Sequence, residues 1–157
     1  MKKLRVVNIS KYFLVGLSII LIAVLGSVFV NLGMPWYNTL QKPFEWVPSI
    51  TFPIVWTIIY SLFAIFLFVW LRNKQLTNKT IILLVLNGLF NVLWCLVFFA
   101  LNQLLIGNIV IISNLILAFL LIGDIFGYSK VFGVLLSIYP LWISIATTLN
   151  TAVWILN

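Results

Sequence analysis

Trp56, Trp94 and Trp142 carry indole rings inside long apolar runs, and other polar or aromatic side chains accompany each of them at helical spacing. Asn87, Asn91, Trp94 and Phe98 recur at intervals of four, three and four, so on a helix they share one face. Phe52, Trp56, Tyr60 and Phe63 form a second such stripe, and Trp142, Ala146, Asn150 and Val153 a third. An amide or indole N–H left unpaired in hydrocarbon is costly, so each needs a protein partner or a ligand. Rings on three helices offer stacking surfaces to a flat apolar guest such as a porphyrin. The same residues would also serve as glue between helices, and spacing alone leaves both readings open.

What the chain lacks narrows the chemistry. It has no His, so imidazole ligation of haem iron, a Ser/His dyad and a zinc site are all excluded. Its single Cys95 lies within an apolar run, which leaves no thiol pair. Glu45 and Asp124 are the only acids and are expected on opposite sides of the membrane, so no carboxylate pair can act together. No glycine-rich phosphate loop is present. Acid–base hydrolysis and metal sites therefore drop out, and no cofactor is required. Only chemistry run by a bound pigment or by aromatic radicals remains.

The elements that must position these side chains are membrane helices. With 64% hydrophobic and 7% charged residues the chain falls far outside the range of soluble domains. Runs of about 20 apolar residues can each cross a bilayer. They predict one domain over 1–157, an all-α bundle of five transmembrane helices at about 12–34, 51–71, 80–101, 104–126 and 131–156. The first apolar run is long for a signal peptide and is expected to be retained as a helix. Trp56 and Trp94 then lie roughly 8 and 10 Å below one surface, and Trp142 near the middle of the last helix. That is too deep for an interfacial belt, which better suits Trp36, Trp46, Trp70 and Trp154 near helix ends. Gly16, Gly26, Gly33 and Gly107 are expected to permit close helix contacts, within or between subunits.

The stretch from Pro35 to Tyr60 holds four of the five prolines, namely Pro35, Pro43, Pro48 and Pro53. Each lacks an amide hydrogen and restricts its predecessor, which predicts an ordered non-helical loop from Tyr37 to Ser49 that caps a pocket between the helices. The formal charge of +7 does not point to nucleic acid. Lys2, Lys3, Arg5 and Lys11, then Arg72, Lys74 and Lys79, then Lys130 mark alternate ends of successive spans. The positive-inside rule puts those ends and the N-terminus in the cytoplasm, with the first loop and the C-terminus outside. The expected location is a bacterial cell membrane.

Three motifs, in order, resemble the tryptophan-rich sensory proteins, also known as the translocator protein or peripheral benzodiazepine receptor family. The family's first loop and second helix are matched by Trp36, Tyr37, Leu40, Lys42, Pro43, Phe52, Trp56, Thr57 and Tyr60. Asn91, Trp94, Phe98 and Phe99 match its third helix, and Trp142, Ala146, Thr147, Leu149, Asn150, Leu156 and Asn157 its last. There are departures: Trp46 sits one place late, and only Pro48 of a proline pair remains. No basic residue follows Leu149, so the sterol recognition of the animal proteins is not expected.

The resemblance implies a homodimeric five-helix bundle that binds porphyrins and benzodiazepine-type ligands in a pocket under the first loop. It implies ligand-binding roles for Tyr37, Phe52, Trp56, Tyr60, Asn87, Asn91, Trp94, Phe98, Trp142, Ala146 and Asn150. It also implies, as alternatives to a receptor, light-dependent porphyrin degradation at Trp56 and Trp142, or transport of porphyrins and other hydrophobic ligands.

Overall fold

The computed structural model describes residues 9–43, 47–48, 50–73 and 76–157. Glu45, Trp46, Lys2, Lys3, Arg5 and Lys74 lie outside the described residues, as does part of the expected loop.

Apolar runs of this length fold as helices because only intrahelical bonds satisfy the backbone in hydrocarbon. The helices are α1 (Ile9–Tyr37), α2 (Thr51–Asn73), α3 (Asn78–Trp94), α4 (Leu104–Tyr128), α5 (Lys130–Leu136) and α6 (Ile138–Leu156), and α3 continues as a π-helical segment, Cys95–Ala100. Among the described residues they make five spans long and apolar enough to cross a membrane, the fifth formed by α5 and α6 together. This is the expected all-helical bundle. One end carries the first loop, the turn at 101–103 and the C-terminus; the other carries Arg72, Lys79 and Lys130 and is called the basic end below.

Three boundaries depart from expectation, each for a local reason. First, α1 runs through Pro35 to Tyr37 instead of stopping near Met34. A proline in the last turns of a helix frees only one carbonyl, and the chain leaves by short-range bonds, Asn38 N to Met34 O (3.0 Å) and Thr39 N to Trp36 O (2.9 Å). Second, the last span breaks at Ser137. Pro140 has no N–H for the carbonyl of Leu136 and its ring crowds that carbonyl, so the helix restarts. Third, α3 begins at Asn78 because Thr77 caps it, its hydroxyl accepting from Thr80 N at 3.3 Å.

The π segment was not foreseen. Within this segment both Phe98 and Phe99 are buried, 2% and 9% exposed. The segment also brings the Phe99 backbone onto α1 at Gly33, where a Cβ would overlap the Phe99 carbonyl. Gly107 of α4 gives Phe98 similar room, since a Cβ there would stand 2.8 Å from Phe98 Cβ. Both glycines serve contacts within the chain. The turn that follows is tight enough to need a left-handed residue, supplied by Asn102 (φ 57°).

At the basic end, α3 and α4 are joined by a polar clasp. The Thr80 hydroxyl donates to Asp124 Oδ2 at 2.6 Å, the Tyr128 hydroxyl to Thr77 Oγ1 at 2.9 Å, and Lys79 Nζ lies 2.9 Å from Asp124 Oδ1. Asp124→Ala should lower stability by about 1–3 kcal/mol, because a buried hydroxyl and an ammonium lose their acceptor. Lys79→Ala should cost about 1 kcal/mol at most, since the lysine side chain is 71% exposed. Thermal unfolding of the two purified variants checks the ranking. Trp70, expected in an interfacial belt, is instead buried beside this clasp, edge-on to Tyr128 (5.0 Å) and stacked on Phe66 (5.7 Å). Helix ends near the surface are not always wet: here Tyr128 of α4 covers the ring.

Candidate functional site

Toward the loop end, α1, α2, α3 and α6 enclose a cavity of about 590 Å³. Of the residues expected to bind ligand, Tyr37, Phe52, Trp56, Tyr60, Asn91, Trp94, Phe98, Ala146 and Asn150 line it. The stripes explain the convergence: each helix turns one face inward, and the π segment adds Phe99 beside Phe98 at 4.9 Å between ring centroids. Trp56 stacks on Tyr60 at 5.4 Å, and Trp94 on Phe98 at 6.4 Å, so both indoles are held by neighbouring rings. Asn38, Lys42, Pro43 and Val47 of the first loop also line the cavity. The Lys42 ammonium lies 4.7 Å from the centre of the Tyr37 ring.

Two expected residues lie elsewhere. Trp142 is 4% exposed and lines neither this cavity nor the one described below; it packs edge-on behind Phe52 at 5.2 Å. Helical spacing identifies the inward face of α6 but not which ring on α2 stands in front of it. Asn87 borders a second cavity of about 610 Å³ nearer the basic end, which shares Trp56, Tyr60 and Asn91 with the first.

The hydrogen bonds separate glue from available groups. Trp94 Nε1 donates to Asn150 Oδ1 at 3.2 Å, and Asn150 Nδ2 to Asn108 Oδ1 at 3.4 Å. Asn87 Nδ2 donates to the Leu83 carbonyl at 3.0 Å, and its Oδ1 lies 3.1 Å from the Tyr139 hydroxyl. These amides are structural. Asn91 is different: it is 3% exposed, borders both cavities, and its amide is set against the Tyr139 hydroxyl without a well-formed hydrogen bond among the described residues. A buried amide held this loosely beside a cavity suits a ligand acceptor.

Sequence reasoning missed the hub Tyr139, whose hydroxyl also lies 3.3 Å from Asn114 Oδ1, together with the amides Asn108 and Asn114 of α4. Amides in a membrane span were the available signal. It also missed how the loop is held. Asn157 Oδ1 accepts from Gln41 N and its Nδ2 donates to Gln41 O, both at 2.9 Å. Asn157→Ala should release this two-point clamp and speed ligand dissociation about 3- to 10-fold, the worth of roughly one net hydrogen bond. Stopped-flow release of a bound fluorescent ligand measures it.

Comparison with known proteins agrees with this architecture. The family model described as TspO/MBR family matches residues 14–155. A "Tryptophan-rich protein TspO" of Archaeoglobus fulgidus is 33% identical over 152 residues, covering 96% of this chain and 99% of that protein. The protein of the same name from Bacillus cereus is 29% identical over 133 residues, 84% of this chain and 87% of its own length. A "Tryptophan-rich sensory protein" of Cereibacter sphaeroides is 28% identical over 124 residues, 78% of this chain and 77% of its own length.

Proposed function

This chain belongs to the TspO/MBR family of membrane proteins, and we propose that it is a receptor for porphyrins and similar flat hydrophobic molecules, bound in the cavity under the first loop. The observation that carries the reading is the pairing of aromatic walls with one loosely held buried amide. Trp56, Trp94, Tyr37, Phe52 and Phe98 border about 590 Å³ of space, and the side chain of Asn91 lies on the same wall. A planar guest would exchange water for ring faces, while an acceptor on its rim would satisfy the amide. Lys42 on the loop supplies a positive charge for an acidic substituent. By the positive-inside rule the basic end is cytoplasmic, so the ligand would be met from the outer side of a cell membrane.

Titration of the purified protein with protoporphyrin in darkness tests this, followed by indole quenching and the Soret band. Saturable binding that a benzodiazepine-type ligand displaces is the expected result. Binding equal to that of empty detergent micelles would overturn it. Of the two indoles that pigment breakdown in light would use, only Trp56 borders the cavity, so receptor function is the primary reading.

A further inference from the structure

We propose that the second cavity is a separate binding site for one acyl chain of an anionic phospholipid from the leaflet at the basic end. The site is a cleft between the basic-end halves of α1, α2 and α3. On α2 its lining runs from Trp56 to Leu71, and on α3 from Asn78 to Asn91. Those stretches rise about 20 Å along a helix axis, somewhat more than one leaflet of a hydrocarbon core about 30 Å thick. A slot of this length suits an extended chain: Trp56, Tyr60, Phe63 and Tyr139 line its inner part, and the rest of its lining toward the basic end is mostly aliphatic.

The cleft opens sideways. Ile22 of α1 touches α3 at Gly88, where a Cβ would meet Ile22 Cδ1 at 2.6 Å. Closer to the basic end, Leu14, Val15, Ser18 and Ile19 border the cleft. Leu14, Ile81 and Val85 on its rim are 58%, 46% and 61% exposed. Apolar space of this kind does not hold water, and the solvent that reaches it in a bilayer is hydrocarbon.

The mouth near the membrane surface sets the headgroup. Leu71, Leu76 and Asn78 border it, so Arg72 follows directly and Lys79 stands one residue on. Lys79 is engaged by Asp124 at 2.9 Å. Arg72 is exposed and pairs with no acid among the described residues, which leaves its guanidinium for a phosphate.

The test reconstitutes the full chain in phosphatidylcholine vesicles doped with a diazirine-acyl phosphatidylglycerol or its phosphatidylcholine counterpart. Adducts are mapped by mass spectrometry after irradiation. Expected are adducts concentrated on Val15, Ile19 and Val85 over the lipid-facing ridge of α4 at Ile109 and Ile116. The anionic probe should be favoured about fivefold, the weight of one basic side chain near such a headgroup. Arg72→Gln should abolish that preference while leaving the adducts in the cleft, and Val85→Trp should remove the cleft adducts. Equal labelling of cleft and α4 ridge, equal labelling by the two probes, or an unchanged preference in Arg72→Gln would each overturn the proposal. Protoporphyrin titration of the same vesicles is an independent readout, so failure at one site is distinguishable from failure at the other.

Discussion

Trp56→Ala is expected to weaken protoporphyrin binding about 30-fold while leaving the fold intact. Trp56 is half-buried, borders both cavities, and keeps its ring in place by stacking on Tyr60 at 5.4 Å and tilting against Tyr139 at 6.4 Å. Removing it takes away a stacking partner and much of one apolar wall, together worth about 2 kcal/mol. Trp142→Ala should behave in the opposite way. That ring is 4% exposed and sits behind Phe52, so its loss opens a core cavity costing about 3 kcal/mol or more and affects affinity only through Phe52. Soret titration in darkness and thermal midpoints, measured on both variants, give a two-by-two outcome. If Trp142→Ala lost affinity at an unchanged midpoint, or if Trp56→Ala bound normally, the proposed wall would be wrong.

Gly33→Ala is expected to be among the most damaging substitutions of a single hydrogen by a methyl group. The new Cβ would fall on the C, O and Cα atoms of Phe99, all backbone, so no side-chain rotation relieves it. Either α1 moves or the π segment does, at a cost of about 3 kcal/mol. The Tyr37 ring rests on Phe99 at 5.4 Å and Phe98 at 6.1 Å, so moving α1 also displaces the first loop and weakens ligand binding. Gly123→Ala is the matched control, since a Cβ there meets nothing within 4 Å. It should leave the thermal midpoint unchanged or slightly raised, as alanine favours helix. Equal midpoints for the two variants would show that α1 does not depend on this contact.

These two positions also mark the difference between what a chain of letters specifies and what packing specifies. The number and placement of the spans were legible because hydrocarbon imposes one rule on every segment: satisfy the backbone internally for about 20 residues. The inward faces were legible too. Asn87, Asn91, Trp94 and Phe98 are all buried in the structure, since polar groups in a membrane span turn away from lipid.

Contacts between helices were not legible. No periodicity tells that the helix after Trp94 unwinds into a π segment, that Phe52 shields Trp142, or that Asn157 clamps Gln41 across 116 positions of sequence. Nor does it tell that Trp94 donates to Asn150 and Asn150 to Asn108, while Asn91 is held only loosely beside Tyr139. Burial in a bilayer is a property of one helix and can be read along the chain. Satisfaction of a polar atom depends on which partner another helix brings within about 3 Å, and only the folded bundle decides that.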